Sequence, residues 1–418
     1  MTERRVRTQA EKTVGIDQLG VYVPRYVLPL EALAVARGVP VEKILIGIGA
    51  HKMAVAPPWE DAVTLAANAA SRLFSRARVD PGEIGFVLVA TETAVDHAKP
   101  ASIFLHELLG LRPNCRTFEL KHACYSGTAG VMMAADWIHS GAARGRKALV
   151  VATDIARYPL GSAAEFTQGA GAVAVLLSEQ PRLLALDRVS GVFARNVYDF
   201  WRPLDRHEAL VDGEFSLNCY LDALDGALAD YHANMNGTGH DPLIGRFAAF
   251  LYHTPFPKMA YKAHLRLFEH DWRRMGKDPA SSASEAKDSY ATHVEPSLRA
   301  ARMVGNTYTA SLYFCLASLA EHAGRSLEEQ EAALFSYGSG CCSEFFTGRF
   351  ARGAGTAASH IGMASLLGAR RELSVENYEE FARGAPEGGT PPSDDTAFCH
   401  LAGVREYKRI YERCELPC

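Results

Sequence analysis

The stretch ELKHACYSGTAGVMMAADWI, residues 119–138, sets one cysteine between a short apolar run and a long amphipathic one. A strand feeding a helix here puts Cys124 at the helix start, where free backbone N–H groups and the helix dipole favour negative charge. That position predicts a lowered thiol pKa and an available thiolate. Packing as a small hydrophobe is the ordinary alternative.

The same grammar extends outward on both sides. Residues 15–24, GIDQLGVYVP, read as a strand closed by proline, and 61–79 as a long helix. DPGEIGFVLVATET (80–93) is a turn feeding a continuous apolar strand, and CRTFEL (115–120), RKALVVATDIA (146–156) and GAGAVAVLLSE (169–179) are further strands. Strands without polar alternation are buried on both faces, as in a sheet covered by helices. The second half repeats the pattern: strand, proline turn and helix over 246–275, a helix after Gly305-Asn306, and strand, glycine turn and strand over 332–350. The expected fold is therefore α/β, with two duplicated βα halves at 14–185 and 186–418. GAPEGGTPPSDDT (384–396) reads as a solvent loop.

Composition limits the function classes. A chain of 418 residues with 48% apolar and 22% charged residues is long enough for two fused halves and shows no sign of disorder. A formal charge of -4 argues against a nucleic-acid partner. The opening MTERRVRTQAEKT has no apolar core of a signal peptide, and no apolar run approaches the roughly 20 residues that span a bilayer. A soluble, cytoplasmic protein without membrane contact is expected. Nine cysteines without metal spacing, Cys414 and Cys418 lying in the terminal tail, point to reduced thiols with no metal.

Four further stretches carry candidate chemistry. ATET places Glu92 just past a buried strand, where loss of water raises a carboxyl pKa towards acid/base duty; a solvated strand-end glutamate is the plain alternative. YHTPFP presents His253 at a strand end, a structural histidine otherwise. Asn306 stands at a helix start, where N-capping is the default. SYGSGCCSEFF offers glycines and Ser343 in a turn whose N–H groups can face an oxyanion, or form a plain β-turn.

With those residues in place, ATETAVDHAKP (90–100), KHACYSGTAG (121–130), ATDIARYPLGSAAEFTQGAGAVA (152–174), YDFWRP (198–203), DGEFSLNCYLDAL (212–224), YHTPFPKMAYK (252–262), GNTYTASLY (305–313) and FSYGSGCCSEFF (335–346) together resemble 3-hydroxy-3-methylglutaryl synthases of the thiolase superfamily. The likeness runs in order from about residue 14 to 410. It implies a thiolase-like, layered α-β-α-β-α domain. It also implies an acyltransferase in which Cys124 takes an acetyl group from a thioester, Glu92 removes a methyl proton, and the enolate attacks the β-ketone of a second thioester. His253 and Asn306 would polarise that acceptor, Tyr158 would position the acetyl group, and N–H groups at Cys124 and Ser343 would form the oxyanion hole.

The forms KHACYSGTAG and HTPFPKMAYK look most like the branch that adds a carbon to polyketide chains, with acyl carrier proteins as donor and acceptor. No permanent cofactor is implied, only a phosphopantetheine arm carried by such a protein or by coenzyme A. Lys262 and Arg266 on a basic helical stretch, with Arg25 and Arg37, are the candidates for meeting the carrier or the arm's phosphate. A coenzyme A enzyme of isoprenoid synthesis is the alternative. A β-ketoacyl synthase fits less well, because a decarboxylating condensation needs no base like Glu92, and a silent carrier-binding scaffold would lack the catalytic set. Phe166 stands where many relatives have proline. A homodimer is expected by resemblance alone.

Overall fold

The computed structural model describes residues 13–206, 208–235, 242–323, 326–383 and 387–414. The chain start (1–12), Cys418 and the first part of the expected solvent loop, 384–386, lie outside them; residues 387–396 of that loop carry neither helix nor strand.

Nine strands form one sheet. They are β1 (Val14–Tyr22), β2 (Ile84–Ala90), β3 (Arg116–Leu120), β4 (Lys147–Ile155), β5 (Ala170–Glu179), β6 (Leu184–Ala194), β7 (Ala249–Tyr252), β8 (Glu331–Gly338) and β9 (Cys342–Phe350). Their spatial order is β7-β8-β9-β6-β1-β5-β4-β2-β3. The duplication expected from patterning is explicit in the pairings. On one side β2 runs parallel to β4, β4 antiparallel to β5, and β5 antiparallel to β1. On the other, β7 runs parallel to β8, β8 antiparallel to β9, and β9 antiparallel to β6. Within the sheet, the strand pairings Gly15↔Ala185 and Ile16↔Leu184 join the two sides. The halves thus repeat as β1-β2-β4-β5 and β6-β7-β8-β9, with β3 an extra edge strand in the first.

Five helices position the site: α1 (Ala62–Ala77), α2 (Ser126–His139), α3 (Gly213–Asn234), α4 (Pro257–Arg274) and α5 (Ser311–His322). Asp61 caps α1 in a capping box with Thr64. Every residue of α5 from Ser311 to Leu319 is buried, which suits a helix apolar on all sides and enclosed by the fold. The C-terminal segment returns to the first half: a hairpin of Cys399–Arg405 and Lys408–Arg413 covers α1, with Asn68 bonded to both backbone groups of Cys399.

The two halves meet tightly beside α2. A Cβ at Gly127 would lie 2.5 Å from the Thr309 carbonyl oxygen, so only glycine lets α2 approach the backbone before α5 this closely. Gly127→Ala is expected to cost about 1–3 kcal/mol in urea unfolding, because backbone and not a flexible side chain must move. Wild-type stability in that variant would show that the contact yields freely.

Candidate active site

The candidate residues sit at the carboxyl ends of parallel strands, where open α/β sheets place their clefts. Glu92 follows β2, Cys124 follows β3, and Tyr158 follows β4; His253 follows β7. β3 ends at Leu120, and an elbow carries the chain to α2. In it Ala123 takes a left-handed φ of 42°, a strained choice for a residue with a Cβ. Ser126 locks the turn: its hydroxyl donates to the Ala123 carbonyl (2.7 Å) and accepts from the His122 N–H (2.7 Å).

The elbow delivers the Cys124 thiol to Glu92, Sγ to Oε1 3.0 Å. Both side chains remain partly open to solvent, so a thioester can reach them. Burial first, and then the nearby Asp154 carboxylate, push the Glu92 carboxyl up to about 8. Burial and the Glu92 charge push the Cys124 thiol well above its usual value. This corrects the lowered thiol pKa expected from the helix start. α2 begins only at Ser126, while Glu92, Asp154 and Asp199 surround the sulfur with negative charge that outweighs the helix terminus. Both groups are therefore mostly protonated at neutral pH, and it is the ionised fraction of Glu92, growing as the pH nears 8, that is placed to take the thiol proton.

Asp154, fully buried, organises the floor. One carboxylate oxygen accepts from Thr91 Oγ1, Glu92 N, Thr93 N and Thr93 Oγ1 at 2.7–3.0 Å. The other accepts from Thr309 N (3.1 Å) and Thr309 Oγ1 (2.6 Å), which lie in the other half of the molecule. Asp154 thereby fixes the Glu92 backbone and ties it to the segment before α5. Sequence reading missed it, although an Asp inside an otherwise apolar strand was the signal.

His253 is buried and rigid. Its N–H donates to the Phe335 carbonyl (2.8 Å), its carbonyl accepts from Tyr220 OH (2.8 Å), and its ring stacks on Tyr220. Burial pushes its pKa down to about 3, so the imidazole is neutral and acts as a hydrogen-bonding group, not as a cation. Asn306 is not at an N-cap position, which Thr307 and Ala310 occupy before the short turn Tyr308–Ala310 and before α5. It closes an Asx turn ahead of them, its Oδ1 accepting from Tyr308 N (2.9 Å) and Ser311 Oγ (3.1 Å). That orientation leaves its amide nitrogen for other work. Tyr158, Tyr308 and Phe200 form an aromatic wall against which Cys124 packs. Gln168 fixes Tyr158 by accepting from its N–H at 2.6 Å. Phe166 is buried in a separate cluster with Leu28, Leu30 and Tyr378.

Ser343 requires a correction. It lies within β9, opposite Tyr337 and Phe193, and its hydroxyl donates to the Ala223 carbonyl at 3.1 Å. Arg195 and Cys341 exchange both backbone bonds, so Phe193 and Ser343 form the next such pair and the Ser343 N–H is committed to the sheet. The turn before it is what reaches the nucleophile. A Cβ at Gly338 would lie 2.6 Å from both the His122 oxygen and the Tyr125 nitrogen, which brings Ser339 beside the elbow. Asp199 steadies this turn by accepting from Gly340 N (2.9 Å) and Tyr337 OH (2.6 Å).

The basic candidates are mostly answered from within the chain. Arg37 forms a bidentate pair with buried Glu165 and a second bond to Glu379 (2.7 Å); Arg25 pairs with Asp394 (2.7 Å); Arg266 pairs with Asp225 (2.6 Å). Arg273 on the same helix reaches Glu269. Lys262 is exposed on α4. These pairs leave the surface less positive than the spacing of basic residues promised.

Models of the hydroxymethylglutaryl-coenzyme A synthase N-terminal and C-terminal regions match residues 10–181, and 184–285 with 280–384. The chain belongs to the hydroxymethylglutaryl-coenzyme A synthase family. It is 39% identical to hydroxymethylglutaryl-CoA synthase of Enterococcus faecalis over 88% of this chain and 91% of that protein. It is 36% identical to the polyketide 3-hydroxy-3-methylglutaryl-ACP synthase PksG of Bacillus subtilis, over 79% of each. The structure of MvaS in complex with 3-hydroxy-3-methylglutaryl coenzyme A superposes with a TM-score of 0.93 at 42% identity, covering 97% of this chain and 100% of that one. The curacin pathway HMG synthase in complex with holo donor-ACP gives 0.87 at 33% identity, covering 96% and 100%. The chain is thus a thiolase-like, acyl-transferring enzyme of the hydroxymethylglutaryl synthase type. Among the described residues no helix is long and apolar enough to cross a membrane.

Proposed function

We propose that this chain condenses an acetyl group held on Cys124 with the β-ketone of acetoacetyl-coenzyme A. The observation that carries the reading is the 3.0 Å contact between the Cys124 thiol and the Glu92 carboxylate. As acetyl-coenzyme A binds, Glu92 takes the thiol proton, sulfur attacks the thioester carbonyl, and coenzyme A leaves as its thiol by taking that proton from Glu92, which is left as the carboxylate. N–H groups at Cys124 and Ser339 hold the oxyanion. Glu92 then removes a proton from the acetyl methyl, and the enolate carbon bonds to the acceptor's ketone carbon. The neutral His253 ring and the Asn306 amide hydrogen-bond the acceptor as its oxygen gains charge, and that oxygen becomes the hydroxyl by taking the proton that Glu92 removed from the methyl. Water cleaves the Cys124 thioester, freeing a carboxylate and restoring the thiol.

Coenzyme A is favoured as carrier because Arg266 and Arg273 on α4 are already engaged by Asp225 and Glu269 within the chain, which takes two of the helix's cations away from an acidic carrier protein. The identities to the coenzyme A relatives point the same way. The second reading, carrier proteins in polyketide branching, rests on PksG and on the curacin enzyme bound to its donor carrier. Steady-state kinetics separate the two. Coenzyme A substrates are expected to give a kcat/KM at least about 100-fold above the carrier-bound pair, a discrimination of about 2.7 kcal/mol. The reverse order would move the protein to the polyketide branch. A homodimer fits the same reading, because β3 is a partly exposed edge strand with one ladder unpaired.

A further inference from the structure

Outside the reaction site, α3 and α4 bring together three ligating side chains that the condensation does not use: His232, His270 and Asp271. We propose that they bind a divalent cation of the zinc class, which clamps α3 to α4 on the outer face of the second half.

The case starts from Asp271, which is 0% exposed. Its Oδ2 accepts from the Ile244 N–H at 2.9 Å, while its Oδ1 has no hydrogen-bond partner among the described residues. A buried carboxylate oxygen left in that state costs free energy unless a positive centre meets it. His270 Nδ1 lies 3.9 Å from this oxygen and His232 Nε2 lies 4.0 Å from it. His270 Nδ1 is likewise buried without a hydrogen-bond partner among the described residues. The two rings stack nearly parallel, 9° apart with centroids at 5.5 Å, so their edges face the same carboxylate.

A proton alone does not account for this spacing. Hydrogen bonds from a protonated imidazole to a carboxylate close to about 2.7–2.9 Å, a full ångström shorter than either separation. Tetrahedral ligands at about 2.0–2.2 Å from zinc stand roughly 3.4 Å apart, so a contraction of about half an ångström converts the cluster into a coordination edge. All three donor atoms lie within 4.8 Å of one another. Two imidazoles and one carboxylate select zinc, cobalt or nickel over magnesium and calcium, which prefer all-oxygen sites. Three protein donors leave a further position for water. The partial exposure of His270 gives the ion a way in. Cysteine spacing had argued against a metal, and this site uses no cysteine. Two of its ligands are adjacent in α4, and the third is supplied by α3 from 38 residues away.

The test is a cobalt titration of chelator-stripped, full-length protein. One equivalent of Co²⁺ is expected to give visible d–d bands, displaced by an equal amount of Zn²⁺. Asp271→Asn and His270→Gln are each expected to weaken binding at least 10-fold. Because Asp271 also holds the Ile244 N–H, Asp271→Asn can unfold locally; His270→Gln, at a partly exposed position, then decides. Absence of binding to the wild type, equal bands in His270→Gln, or thiolate-to-cobalt charge transfer in place of d–d bands alone would each overturn the site.

Discussion

Cys124→Ala is expected to lose the acetyl adduct on intact-protein mass spectrometry and to lower turnover by about 10⁴-fold or more, since loss of a covalent nucleophile removes the whole two-step route. The physical ground is the neighbour of the thiol more than its acidity. Burial raises Cys115 and Cys342 to about 11, and Cys124 is raised as well, so none of these thiols is a ready thiolate at neutral pH. Among the described cysteines, Cys124 is the one whose sulfur donates to a carboxylate. A base in contact ionises the thiol at the moment a thioester arrives, and the Tyr158–Phe200–Tyr308 wall packs against one side of Cys124. An adduct at full occupancy in the alanine variant would transfer the nucleophile to another cysteine.

The duplicated topology explains why residues so distant in sequence converge. Glu92 follows β2 and His253 follows β7, which are equivalent strands in the two repeats. Cys124 precedes α2, and Asn306 precedes α5, the helices that lead into β4 and β8. The loop after β4 supplies Tyr158, and the turn after β8 supplies Ser339. Each half thus offers the same three positions at its strand ends, and one pair of positions holds a base and an imidazole. Asp154, bonded to Thr91 and Thr93 on one side and to Thr309 on the other, joins the two sets.

That geometry also separates what the sequence could reveal from what it could not. The unbroken apolar runs of β2, β4 and β5 and the strand-to-helix setting of Cys124 are local features, so residue order was enough to place them. The thiol pKa depends on carboxylates that fold in from other strands, and a rule about helix ends cannot count them. Ser339 and Ser343 differ only in which residue leaves the ladder between β8 and β9, and nothing in SYGSGCCSEFF fixes that point. The partners of the basic candidates were hidden for the same reason: Arg37 meets Glu165 across 128 residues and Arg25 meets Asp394 across 369, distances over which sequence spacing carries no information.

Glu92→Gln is the second change with a large expected effect, and it divides the reaction. The acetyl adduct should still form: loss of the base slows it, while loss of the charge that keeps the Cys124 thiol neutral partly offsets that by easing its ionisation. Carbon–carbon bond formation should fall by about 10³-fold, within the range for loss of a positioned base. In the wild type, the Glu92 carboxyl stands near 8, so the fraction of active base rises with pH up to that point and levels off above it. Single-turnover condensation from the preformed adduct should therefore climb roughly tenfold per pH unit below 8, and that slope should vanish in Glu92→Gln. Once the thiol is acetylated its bond to Glu92 is gone, while burial and Asp154 remain, so the carboxyl stays raised through the step that needs it. A condensation rate in Glu92→Gln equal to wild type, or a pH slope surviving in the variant, would assign the proton to a different group.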